Sequence, residues 1–154
     1  MIKNCMKKNV VSIPESASIR EAAHRMAEKR IGTLPVVDSQ GLVIGMIGLQ
    51  QLLTLELPDF FNLIPDLDFL QDFGAVESTR PTPEQIDQPI TSLMQPATLV
   101  VEDCGLLRAF GIMIKHNLAD LIVVSDDGKL RGIASRVDIG SEILATWQTI
   151  GIVE

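Results

Sequence analysis

The sequence predicts an α+β fold, two β-α-β-β-α units packed about a pseudo-twofold axis. Three observations predict it: an internal repeat, the same order of apolar periodicities in each copy, and a length that leaves neither copy a core of its own. Sliding the chain along itself by 87 residues aligns Val11–Leu52 with a second stretch without a gap. Eight pairs are then identical: Glu15/Glu102, Ala22/Ala109, Met26/Met113, Leu34/Leu121, Val36/Val123, Val37/Val124, Gly41/Gly128 and Gly45/Gly132. Residues placed at average usage give only about two or three. A unit of about 60 residues hides roughly 60% of its unfolded surface, and a chain of this length about 70%. The copies are therefore expected to share a core.

The elements follow in order. Each copy starts with a short β-branched stretch, Val10–Ile13 and Thr98–Val101. A helix comes next. Ile19, Ala22, Ala23 and Met26 mark one face in copy one, and Leu106, Ala109, Phe110 and Met113 in copy two, the i, i+3, i+4, i+7 spacing of an amphipathic helix. Ser18 followed by Glu21 reads as its capping box. Two strands then flank a glycine turn: Leu34–Val37 and Leu42–Ile47 around Asp38 to Gly41, and Leu121–Val124 and Leu130–Ala134 around Asp126-Asp127-Gly128. Asp-Gly between apolar runs signals a hairpin. A second helix closes each copy, with Ile139, Ile143 and Trp147 on one face in copy two.

Between the copies lies a different segment. Eight acids and one base, Arg80, fall between Leu55 and Ile90, so this stretch carries the whole net charge of −7. Four of the five phenylalanines are here as well: Phe60, Phe61, Phe69 and Phe73. Leu57, Phe60, Phe61 and Ile64 share a helical face, expected to pack on the module or across a homodimer rather than to dock another protein, because large exposed apolar faces are rare. Residues Val76–Gln88, with Pro81 and Pro83, read as a loop.

Composition excludes several classes. With 46% apolar and 21% charged residues the chain is no disordered segment. Its acidity argues against a nucleic-acid surface, which needs clustered Lys and Arg. Its longest apolar run, Gly41–Leu49, is too short to span a membrane. Lys3, Lys7 and Lys8 precede no apolar core, so no signal peptide is expected. Cys5 and Cys104 are too few for a disulfide scaffold and fit a reducing, cytoplasmic setting.

The residues Leu34-Pro35-Val36-Val37-Asp38 with Gly41 and Gly45, then Leu121–Val124 with Gly128, then Gly132-Ile133-Ala134-Ser135-Arg136-Val137-Asp138, resemble a tandem pair of cystathionine-β-synthase (CBS) domains, the Bateman module. The resemblance implies repeat one over residues 1–56, an insert over 57–89 and repeat two over 90–154. It also implies a stand-alone regulatory module that binds an adenosine-type ligand (AMP, ADP or ATP) between the repeats, frequent homodimerisation into a flat disc, and no catalysis. With no catalytic or transport domain read beside the two repeats, any regulated protein is expected to be a separate chain. The ligand residues it implies are Ser135, Asp138, Arg136, Gly132, Ile133, Ala134, Leu121 and Ile122. In the family a Gly-h-x-[Ser/Thr]-x-x-Asp element marks the ribose-phosphate site. Copy two matches at Gly132, Ser135 and Asp138; copy one keeps Gly45 but has Gly48 and Gln51 at the hydroxyl and carboxylate positions.

The chemistry agrees with that assignment. A glycine within a strand allows close approach by a ligand. A helix starting near Ser135 directs its positive end toward an anion. Ser135 can donate to phosphate, Arg136 adds a fixed cation, and Asp138 accepts from vicinal ribose hydroxyls. The competing reading is a plain helix cap, Ser135 with an acid in the first turn. Gly48 with Gln51 is also an acceptable cap, so capping is satisfied in both copies and ribose recognition only in the second.

Other candidates carry less. His24 and His116 have no metal-ligand partners at suitable spacing, Cys5 and Cys104 read as inert thiols, and Lys7 and Lys8 as a solvated terminus. The acids form no D-x-D-x-D-G calcium loop. No nucleophile–base pair, metal cluster or GxxxxGK loop supports an enzyme. The alternative to a nucleotide sensor is a structural dimerisation or partner-docking module with vestigial sites.

Overall fold

The computed structural model describes residues 1–57, 61 and 80–152. Repeat one contains β1 (Ile13–Pro14), α1 (Ile19–Lys29), β2 (Thr33–Val37), β3 (Val43–Gly48) and α2 (Leu49–Leu53). A short helix α3 (Pro83–Ile86) precedes repeat two, which contains β4 (Leu99–Val101), α4 (Leu106–Lys115), β5 (Asp120–Val124), β6 (Leu130–Ser135) and α5 (Arg136–Ala145). Each repeat folds into a three-stranded sheet, β1-β2-β3 or β4-β5-β6, whose first pair is parallel and second antiparallel. The two sheets have the same bulge, between Val36 and Val37 and between Val123 and Val124.

Local chemistry explains the boundaries. The Ser18 hydroxyl accepts from the Glu21 N–H at 3.2 Å and starts α1. Arg30 and Asn117 end the first helices in the left-handed region, at φ 53° and 52°. Gly41 and Gly128 supply φ of 82° and 85° at the hairpin turns, a conformation that costs other residues a Cβ clash. Across the axis the two turns meet, the Val43 N–H donating to the Gly128 carbonyl at 3.1 Å.

Each sheet buries one face under its own helices. Leu34, Val36 and Ile47 join Ala22 and Met26 in one core, and Leu121, Val123 and Ala134 join Ala109, Met113 and Ile139 in the other. The cores are completed by exchange. Ile2 is fully buried in the core of repeat two, and Ile90 in the core of repeat one. The Ile2 N–H donates to the Cys104 carbonyl at 2.8 Å, and the Ile90 N–H to the Ala17 carbonyl at 2.9 Å. The lead-in segment of each repeat thus packs on its sister.

Several sequence expectations change. The leading strands are shorter than Val10–Ile13 and Thr98–Val101: β1 keeps Ile13 and adds Pro14 while Val10 and Val11 line a cavity, and β4 begins at Leu99. The expected loop Val76–Gln88 contains α3, started by Pro83 and by a reciprocal capping box between Thr82 and Gln85. Trp147 lies beyond the end of α5 and is exposed, whereas Ile139 is buried and Ile143 half-buried. The aromatic face expected at Leu57, Phe60, Phe61 and Ile64 lies outside the described residues at Phe60 and Ile64. No helix among the described residues is long and apolar enough to cross a membrane.

Candidate functional site

Alternation along β5 and β6 sets up the site. Leu121, Val123 and Ala134 point into the repeat-two core, so Asp120, Ile133 and Ser135 take the opposite face, toward repeat one. There they line an open cavity of about 210 Å³. Repeat one closes the other side with Arg30, Ile31, Gly32 and Thr33. The segment Lys7–Val11 crosses one wall, held by an antiparallel bridge in which the Lys7 N–H donates to the Ile133 carbonyl at 2.8 Å and the Ile133 N–H donates back at 3.0 Å.

At one end stand Ser135 and Asp138. The Ser135 N–H donates to Asp138 Oδ2 at 2.9 Å, and the Asp138 N–H donates to the Ser135 hydroxyl oxygen at 3.0 Å. This reciprocal box fixes the carboxylate in its rotamer and leaves Oδ1 and the hydroxyl proton for a ligand. Lys7 Nζ lies 4.0 Å from Asp138 Oδ2. At the other end the Thr33 hydroxyl donates to Asp120 Oδ2 at 2.9 Å. Thr33 and Asp120 are equivalent residues of the two repeats, so this bond crosses the pseudo-twofold axis.

A second, larger cavity of about 630 Å³ lies on the other side of that bond. Gly32, Thr33 and Asp120 belong to both walls. Its own lining includes Gly48 and Gln51, whose side chain accepts from the Gly48 N–H at 2.7 Å.

A family model for the CBS domain matches residues 2–57 and again 90–145. The chain belongs to the CBS-domain family. This CBS pair is 28% identical over 140 residues to the chloroplastic CBS domain-containing protein CBSX2 of Arabidopsis thaliana; the match takes in 86% of the chain and spans 58% of that relative's length. The crystal structure of CBSX2 in complex with AMP superposes with a TM-score of 0.70 at 24% identity, covering 94% of this chain and 96% of that one. A CBS domain protein of Pyrobaculum aerophilum complexed with AMP gives 0.68 at 21% identity, covering 94% and 98%. These likenesses establish the fold as that of a CBS pair.

Within the pair, the expected ligand residues part company. Ser135, Asp138 and Ile133 line the smaller cavity together. Leu121, Ile122 and Ala134 are buried in the sheet and are not among its lining residues. Gly132 is approached by the chain itself rather than left open to a ligand: a Cβ there would sit 2.8 Å from Met6 Cγ and 3.0 Å from the Lys7 carbonyl oxygen. Arg136 turns away, its Nε donating to the Leu118 carbonyl at 2.7 Å and its Nη2 to Asn117 Oδ1 at 3.3 Å. The cations at the cavity are Lys7, expected to be a solvated terminus, and Arg30, for which the sequence carries no site expectation. Arg30 caps α1 in the left-handed region, which no local sequence signal marks for an arginine. The Cys5 thiol is pushed up by burial first and then by the carboxylates of Glu142 and Asp138.

Proposed function

We propose that this CBS pair is a non-catalytic regulatory module that senses an adenine nucleotide (AMP, ADP or ATP) in the smaller cleft. The supporting observation is the placement of Asp138 and Ser135 in one cavity with Lys7 and Arg30, from three separate parts of the chain. Asp138 accepts from the ribose hydroxyls, while Ser135, Lys7 and Arg30 serve the phosphate end, and Val10, Val11, Ile31 and Ile133 offer apolar surface to the base. The AMP complexes of the two relatives of the same fold agree with this ligand class, as does the likeness to the gamma-3 subunit of 5'-AMP-activated protein kinase from Sus scrofa, 28% over 143 residues.

The test is Asp138→Asn, which keeps an acceptor for the Ser135 N–H and removes the charge. Loss of charged hydrogen bonds worth about 1.5–3 kcal/mol lowers nucleotide affinity about ten- to a hundredfold. A 2′,3′-dideoxy analogue, lacking the hydroxyls, loses little between parent and variant. Equal loss for both ligands shows that Asp138 acts through the helix cap alone.

A structural role is supported alongside. Leu107 and Ile114 on α4, Val137 and Leu144 on α5, and Trp147 are each more than half exposed. Together they leave on the order of a few hundred Å² of apolar surface, and exposed apolar patches of that size often mark an interaction site. This surface supports a homodimer joined through repeat two. Light scattering at tens of micromolar, an ordinary concentration for weak interfaces, reads a dimer if so and a monomer if not.

A further inference from the structure

Each lead-in segment carries a methionine immediately before its bridging residue. Met6 precedes Lys7, which bridges Ile133 on β6, and Met94 precedes Gln95, which bridges Met46 on β3. Both methionines seat on a strand glycine. A Cβ on Gly132 would fall on Met6 Sδ and lie 2.8 Å from its Cγ; a Cβ on Gly45 would lie 2.5 Å from Met94 Sδ and 2.9 Å from the Gln95 carbonyl oxygen. The thioether thus rests directly on the strand backbone, with no room for a methyl group between them. Met6 also packs against the core of repeat two, and Met94 against that of repeat one. Both side chains are nonetheless only half-buried, whereas Met26 and Met113 are sealed in the cores at 3% and 0% exposure. A small solute can therefore reach Met6, whose seat takes no added atom on the strand side.

We propose that Met6 is an oxidative modification site, at which a peroxide converts the thioether to the sulfoxide and thereby releases the lead-in segment from β6. With hydrogen peroxide, the sulfur lone pair attacks one oxygen, the O–O bond breaks, and the other oxygen leaves as water; sulfur loses two electrons and the peroxide gains them. The product is polar and chiral where the thioether was apolar. An oxygen added on the strand side meets the Gly132 backbone and the Lys7 carbonyl, which has no proton to donate. Met6 then leaves its seat, and the two bonds between Lys7 and Ile133, at 2.8 and 3.0 Å, lose the side chain that holds them. Lys7 and Ile133 both line the smaller cavity, so oxidation of Met6 alters the wall of the cleft.

The experiment is a hydrogen peroxide time course on the full chain, followed by dithiothreitol, which returns sulfenates and disulfides to thiols and leaves sulfoxides. Peptide mass mapping follows each methionine, and hydrogen exchange follows the Lys7 and Ile133 amides. The expected result is sulfoxide at Met6 with Met26 and Met113 spared, and exchange at both amides about tenfold faster, rising in step with the fraction of Met6 oxidised. Met6→Leu, close in volume and without sulfur, shows no change at these amides on peroxide treatment. Where Met6→Leu does not fold, the time course on the parent decides, because acceleration that follows another methionine instead of Met6 counts against the proposal. Three further results would each overturn it: Met6 untouched while the half-exposed Met1 is oxidised, sulfoxide at Met6 with exchange unchanged, or the same acceleration in Met6→Leu. This readout needs no ligand. AMP affinity measured on the same samples falls with oxidation if the smaller cleft takes nucleotide; AMP binding nowhere strikes that reading and leaves the oxidation site standing.

Discussion

Replacing Ile2 with alanine separates the two consequences of exchanged lead-in segments. Ile2 is fully buried with Val100, Cys104, Met113 and Leu121 of repeat two, and Ile90 fully buried with Ile13, Leu34 and Val36 of repeat one. Truncating a buried isoleucine removes its transfer free energy and leaves a void, together about 2–5 kcal/mol. Ile2 falls toward the lower end, because a terminal segment can shift to close part of the void. For a domain of this size, where each kcal/mol moves the midpoint about 2–4 °C, Ile2→Ala and Ile90→Ala each lower the melting temperature by roughly 5–10 °C. Their effects on binding differ. Ile2 anchors the segment that carries Lys7, Val10 and Val11 to the smaller cavity, whereas Ile90 anchors the segment that carries Gln95 to the larger one. Well below the midpoint, Ile2→Ala weakens AMP binding and Ile90→Ala leaves it near the parent value. Hydrogen exchange adds a readout independent of any ligand: Ile2→Ala raises exchange at the Ile2, Lys3 and Lys7 amides, which donate to Cys104, Glu102 and Ile133. Equal loss of AMP affinity in both variants, or an unchanged midpoint for Ile2→Ala, would refute the reasoning.

Thr33→Val keeps the shape of a side chain that is only 7% exposed and deprives Asp120 Oδ2 of its donor; the cost is about 1–3 kcal/mol, read as a lower urea midpoint. The Cys5 thiol, raised by burial, alkylates with iodoacetamide more slowly at pH 7.5 than free cysteine does, and the rate rises on unfolding. The Asp87 carboxyl is held below the ordinary carboxylate range by its hydrogen bond from Arg20, at 2.8 Å, so the contribution of the pair is present above the carboxylate's unfolded pKa and is lost as pH falls through the depressed folded value. Both side chains are exposed, so the pair contributes little, and Asp87→Asn lowers the neutral-pH melting temperature only slightly and removes an equally small part of the acid loss.

The repeated order of elements was legible because it rests on periodicities of two and 3.6 residues and on glycine turns, all local properties. Of the residues lining the smaller cavity, Ser135 and Asp138 were legible, because their spacing on a helix start brings them together whatever the rest of the chain does. Lys7 and Arg30 were not, because they reach the cavity through a bridge to β6 and through packing between repeats. The exchange of Ile2 and Ile90 was hidden for a similar reason: the lead-in segments align at an offset of 88, one residue more than the repeat itself. The contact of Gly132 with Met6 was not legible, because a strand glycine announces a close approach without saying what approaches. Helix α3 carries a local signal of its own, Thr82 and Gln85 flanking Pro83.

The hydrogen bond between Thr33 and Asp120 bears on how such a module can be put together. Two identical units related by a true rotation can place only like against like on their axis. Two aspartates there would repel, and two threonines would leave both walls without an acid. Joining the units in one chain lifts that restriction, so a donor on one half can meet an acceptor on the other. Neither half, paired with a copy of itself, can form this contact. The fused chain thereby acquires a direction of assembly: its halves are distinguishable to each other at the point where they touch, and both clefts are built against that one unlike pair.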